Sequence, residues 1–110
     1  VAMSAFANTN ASSKESELVG RWHYGTNPNK PLEYVISEEG NGQLRFLGPH
    51  SAGSKVTGIL QPEGLWLQTE LVDRNDTPVG HIRLRLEKGN CISNFKSLNK
   101  AEWGKDITAE

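Results

Sequence analysis

The chemistry open to this chain rests on very few side chains. His23, His50 and His81 could each serve as a proton carrier beside a carboxylate such as Glu70, Asp73 or Asp76, and Cys91 is the single thiol. No spacing groups them into a nucleophile, a base and an orienting residue, and there is no phosphate-cradling glycine loop, His-Glu-x-x-His or calcium loop. The chain therefore reads as non-enzymatic, with no metal or cofactor expected. One cysteine can make neither an intrachain disulfide nor a zinc-thiolate cluster. Cys91 follows Gly89-Asn90 at the start of a strand pattern, where a small buried hydrophobe is the expected reading.

Binding chemistry is better represented. His81, Arg83 and Arg85 alternate with Ile82, Leu84 and Leu86, so they form a polar row on one side of a strand. Arg21 and His23 would form a second row if the fold brought the two strands close. Such rows can grip a carboxylate or phosphate through the planar fork of arginine, and they are also what any half-buried strand shows to water. The three leucine and isoleucine residues place the row outside. Trp66 is the aromatic residue best placed for exposure, because Leu65 and Leu67 claim the interior; it would suit a sugar, a base or a partner protein, or pack under the N-terminal arm or in a dimer interface. Arg21, Arg83, Arg85 and Lys96 with Trp66 as a stacking surface form a nucleic-acid alternative. Twelve basic against thirteen acidic residues give a formal charge of −1, so no global field supports it.

A sheet must carry these side chains. From Leu18 onward short apolar alternations are separated by Gly, Pro, Asn and Asp clusters, the pattern of a β meander. The alternation places Leu18, Gly20, Trp22 and Tyr24 on one face, then Leu32, Tyr34 and Ile36, then Leu44 and Phe46. Residues 48–54 form a rim loop containing His50. Further strands hold Val56, Gly58 and Leu60, then 65–72 after a turn at Gln61-Pro62-Glu63-Gly64, then Gly80 to Leu86, then Cys91 to Lys96. Asn99 and Glu102 have capping-box spacing ahead of Gly104, which predicts one helical turn, and Ile107 could open a last short strand. Seven or eight such strands joined in order most simply close into an antiparallel up-and-down barrel, with a two-sheet sandwich as the alternative.

Length bounds the rest. The 110 residues suit one domain, and a hydrophobic fraction of 35% fits a thin core of the kind a closed sheet makes. Residues 1–17 read as an arm or the remnant of a processed segment, with 18–110 as the barrel. Ala5-Phe6-Ala7 resembles the small-residue site of an export signal, leaving compartment open. Asn10-Ala11-Ser12 and Asn75-Asp76-Thr77 fit the glycan triplet. No apolar run approaches the ~20 residues of a membrane-spanning helix.

Gly20-Arg21-Trp22, on the first strand directly after an arm, resembles the Gly-x-Trp signature of calycins, the superfamily of lipocalins, fatty-acid-binding proteins, avidins and small bacterial protease inhibitors. The resemblance implies a barrel whose tryptophan plugs one end. It covers Gly20, Trp22 and the order of strands; the chain is short for a lipocalin, Cys91 lacks the disulfide partner of the small inhibitors, and an avidin's biotin-contacting set has no counterpart. The leading expectation is a binding module that takes a small apolar or amphipathic ligand, or a protein partner, at the barrel end. Trp22, Tyr34, Phe46, Leu67 and Leu84 would point inward, with His50 and Trp66 at the rim. The alternative is an interaction or inhibitor domain that inserts its N-terminal arm into a partner.

Overall fold

The computed structural model describes residues 17–25, 32–50 and 53–110. Residues 1–16, expected to be an arm, with Ala5-Phe6-Ala7 and the Asn10 triplet, lie outside the described residues. Eight strands follow: β1 (Gly20–Tyr24), β2 (Leu32–Glu38), β3 (Leu44–Pro49), β4 (Lys55–Glu63), β5 (Trp66–Val72), β6 (Pro78–Glu87), β7 (Asn90–Ser97) and β8 (Ile107–Ala109). Each pairs antiparallel with the next in chain order. The first and last strands then meet: His23 N–H donates to Glu110 O at 2.8 Å, and Glu110 N–H donates back to His23 O at 3.0 Å. The sheet is thus a nearly closed up-and-down barrel, and the sandwich alternative falls away.

Period-two patterning decides which side of each strand faces in. Gly80, Ile82 and Leu84 of β6 are buried, while His81, Arg83 and Arg85 face out. Leu84 lies opposite Leu67 of β5 and Ser93 of β7 and is fully buried. Burying a leucine of this kind stabilises the fold by about 2 kcal/mol, and a one-residue slip would turn the whole set outward. Trp22, Tyr34, Ile36, Leu44 and Phe46 join the same cluster from β1 to β3. The indole N–H of Trp22 donates to Leu18 O at 2.7 Å, drawing residues 17–18 across one end. Gly20 adopts φ of 145°, a backbone state that side chains rarely tolerate, so glycine is needed here for conformation.

Two of the hairpins reverse within two residues, each with a glycine at positive φ. Lys88 and Gly89, with φ of 52° and 84°, join β6 to β7 as a two-residue turn whose central residues both need positive φ. Between β4 and β5 the reversal is Gly64-Leu65, since Glu63 already pairs with Trp66. This corrects the expected turn at residues 61–64. Pro62 lies in the strand opposite Leu67, and Leu65, expected inside, is 89% exposed at the turn tip. The reason is register: with positive φ at Gly64 and not at Leu65, this two-residue loop is of the kind that takes its glycine first, which leaves Leu65 at the tip outside the ladder.

The helical turn expected at Asn99 to Gly104 is also absent. Residues 98–102 make a turn and a bend, with Lys100 N–H on Ser97 O, and Gly104 N–H donates to Phe95 O at 2.8 Å. The capping-box spacing is overridden because β7 takes the segment's backbone donors. It is laid over the outer face of β7, where the buried Asn94 bonds to Gly104 and Asp106.

Candidate functional site

The barrel is open at the end where β1, β3, β5 and β7 finish. A cavity of about 290 Å³ begins there between Tyr24, His50, Phe95 and Ile107 and runs inward to Tyr34, Phe46 and Ser93. Its aromatic wall is continuous: the Tyr34 ring centroid lies 5.6 Å from that of Tyr24 and 5.0 Å from that of Phe46. Gly48 makes room for this packing, because a Cβ there would meet the Phe46 ring at 2.8 Å. Gly80 does the same for Phe95, whose ring a Cβ would meet at 2.6 Å.

At the inner end of the cavity one polar group is unsatisfied. Tyr34 is 3% exposed, and its hydroxyl makes no geometrically formed hydrogen bond among the described residues. The Cys91 thiol and the Ser93 hydroxyl lie within interaction range of it, the thiol raising its pKa and the Ser93 hydroxyl lowering it, but neither meets the geometry of a formed hydrogen bond. Burial, with the thiol adding to it, holds the phenol far above the ordinary tyrosine range. Burial likewise pushes the Cys91 thiol up to about 11, partly opposed by Tyr34, and burial raises Tyr24. All three are neutral proton donors near pH 7, which suits hydrogen bonding to an acceptor and not nucleophilic attack. The described wall holds no Lys, Arg, Asp or Glu.

The expected pocket residues divide between places. Tyr34, Phe46 and His50 line this cavity. Leu67, Leu84 and Trp66 line a second, larger cleft of about 630 Å³ at the opposite end, together with Leu18, Leu65 and the charged Glu17, Arg85 and Lys88. Trp22 lines neither opening and fills the interior. Tyr24, Ser93, Phe95 and Ile107 were missed as pocket residues. The face shared by Tyr24 with Trp22 and by Ser93 with Phe95 was visible, but which residues stand at an open end depends on strand tilt and closure.

The two polar rows stay apart, because β1 borders β2 and β8 while β6 borders β5 and β7. Arg21 and His23 both pair with Glu33, at 3.1 and 3.0 Å. His81 faces Glu70 at 3.8 Å, and Arg85 pairs with Glu87 at 2.8 Å. Trp66 is half-covered by cations: the guanidinium carbons of Arg83 and Arg85 lie 4.2 and 4.6 Å from its ring centroid. Arg83 also lies 4.5 Å from Trp103, against which Lys96 packs at 4.8 Å. Asn94, opposite Arg83 in register, accepts from Arg83 Nε at 3.0 Å and donates to Gly104 O at 3.2 Å and to Asp106 Oδ1 at 2.7 Å. Sequence reading missed Asn94, which is bonded to Arg83 on the neighbouring strand and to Gly104 and Asp106 of the segment beyond β7.

The chain matches no family model, no curated protein and no solved structure.

Proposed function

We propose that the protein is a non-enzymatic binding barrel that takes a small, neutral, largely apolar molecule with one hydrogen-bond acceptor into the open end between Tyr24, His50 and Phe95. The observation that carries this reading is the Tyr34 hydroxyl, buried without a partner at the base of an aromatic cavity. A buried donor left unmade costs about 1–3 kcal/mol, and a ligand acceptor would recover that cost on binding. A volume of about 290 Å³ sits at the lower edge of the ~300–1,000 Å³ typical of ligand pockets, which favours a compact ligand over a long acyl chain. An ionised ligand is disfavoured because no lysine or arginine among the described residues lines the wall to offset desolvation of its charge. Gly20 with its unusual backbone state and the buried Trp22, bonded to Leu18, support a calycin-like arrangement with the binding end opposite residues 17–18.

Three matched probes test the reading by amide chemical-shift titration: cyclohexanone, methylcyclohexane and cyclohexanecarboxylate. Cyclohexanone is expected to shift Ser93, Phe95 and Ile107 saturably and most tightly. In Tyr34→Phe its advantage over methylcyclohexane disappears, a loss of roughly 2- to 10-fold for one neutral hydrogen bond. Equal binding of the carboxylate, or no saturable shift at these residues with any probe, would rule the reading out.

A further inference from the structure

The outer face of β6 and β7 carries a second arrangement, separate from the barrel mouth. Of the arginines on the described strands, Arg21, Arg45 and Arg85 each have a carboxylate partner, at 3.1, 3.0 and 2.8 Å. Arg83 has none among the described residues, and neither does Lys96. Arg83 is nonetheless closely fixed. Trp66 and Trp103 flank its guanidinium at 4.2 and 4.5 Å, and its Nε–H is committed to the buried Asn94 amide at 3.0 Å. Its two terminal nitrogens, the pair that meets an oxyanion side by side, make no hydrogen bond within the described residues. Lys96 supplies a second unneutralised charge against the same Trp103.

We propose that Arg83, with Lys96 beside it, is a carboxylate-binding site. The physical case is preorganisation. A free arginine must give up rotamer freedom to hold an anion, whereas here two indoles and Asn94 have already fixed the guanidinium plane. Contact with the rings excludes water from its faces and leaves the donor edge free, so the bond formed there is a charge-assisted, two-pronged one. Asp106 lies 3.8 Å from Arg85 and is bonded to Asn94, which keeps the surrounding field modest. That balance favours a singly charged carboxylate over a phosphate dianion. A nucleic-acid strand is served poorly, because both indoles that would stack on its bases are already packed against cations.

The test titrates the protein with sodium acetate, inorganic phosphate and sodium chloride at constant ionic strength, reading the Trp66 and Trp103 indole N–H and the Arg83 Nε–H resonances. Acetate is expected to give saturating shifts with a millimolar midpoint, about fivefold weaker in Arg83→Lys, which keeps the charge and loses the fork, and about twofold weaker in Lys96→Gln. Arg21→Gln, remote from the site, leaves the midpoint unchanged. Near-UV circular dichroism verifies the fold of each variant, and if Arg83→Lys does not fold, Lys96→Gln decides. Shifts that rise linearly or match those from chloride would refute the site. Tighter binding of phosphate would overturn the carboxylate assignment, as would an affinity unchanged by Arg83→Lys and Lys96→Gln.

Discussion

Tyr34→Phe separates a binding hydroxyl from a structural one by its effect on the free protein. The substitution keeps the ring and therefore its contacts with Tyr24 and Phe46, at 5.6 and 5.0 Å between centroids. It removes only an oxygen that is buried without a hydrogen bond. Had that hydroxyl been bonded inside the barrel, its deletion would cost about 1 kcal/mol, the usual net worth of an intramolecular hydrogen bond. Since it is unbonded, deletion removes a desolvation cost of about 1–3 kcal/mol and should raise stability by about 1 kcal/mol. The two outcomes differ by about 2 kcal/mol, more than the extrapolation error of a careful urea titration. For a domain of this size the expected gain corresponds to a Tm rise of roughly 4 °C in the absence of ligand. A fall in stability of 1 kcal/mol or more would show that Cys91, Ser93 or a trapped water satisfies the hydroxyl, and would remove the main support for a ligand at the barrel mouth.

Other perturbations probe the same physics. Cys91, fully buried with a thiol pushed up to about 11, should make stability fall with alkalinity. Its folded pKa lies above the unfolded value of about 8.5, so the contribution is complete below that pH and declines up to about 11 as the unfolded chain loses its proton first, by about 2–3 kcal/mol. Urea midpoints at pH 8 and pH 10.5 should show this decline, and it should shrink in Cys91→Ala. Gly80→Ala places a Cβ 2.7 Å from the Lys96 carbonyl as well as against Phe95, and a backbone oxygen cannot swing aside. A loss of about 2 kcal/mol or more in chemical denaturation is expected. Asn94→Ala strands donors and acceptors of Arg83, Gly104 and Asp106 and should cost about 2 kcal/mol, with Trp103 emission shifting to the red as its segment loosens.

Strand parity was legible in the residues alone. Ile82, Leu84 and Leu86 alternating with His81, Arg83 and Arg85 admit one orientation of β6, because a slip would bury two arginines. The same logic placed Tyr34 and Phe46 inside, and short connections between successive patterns made an antiparallel order the simplest one. Local signals failed where a partner elsewhere in the chain outbid them. Capping-box spacing at Asn99 yielded to backbone bonding with β7, and the Pro62 turn yielded to a shorter reversal at Gly64 that expelled Leu65. The site lay further from view. That Tyr34 meets no partner, that Phe95 and Ile107 stand at an open end, and that Arg83 rests between Trp66 and Trp103 all depend on closure by His23 and Glu110 and on the path of residues 98–106. Periodicity specifies the side of the sheet on which a residue stands. Which residues it meets there depends on tilt, register and the chain folded over it, and these are properties of the assembled barrel.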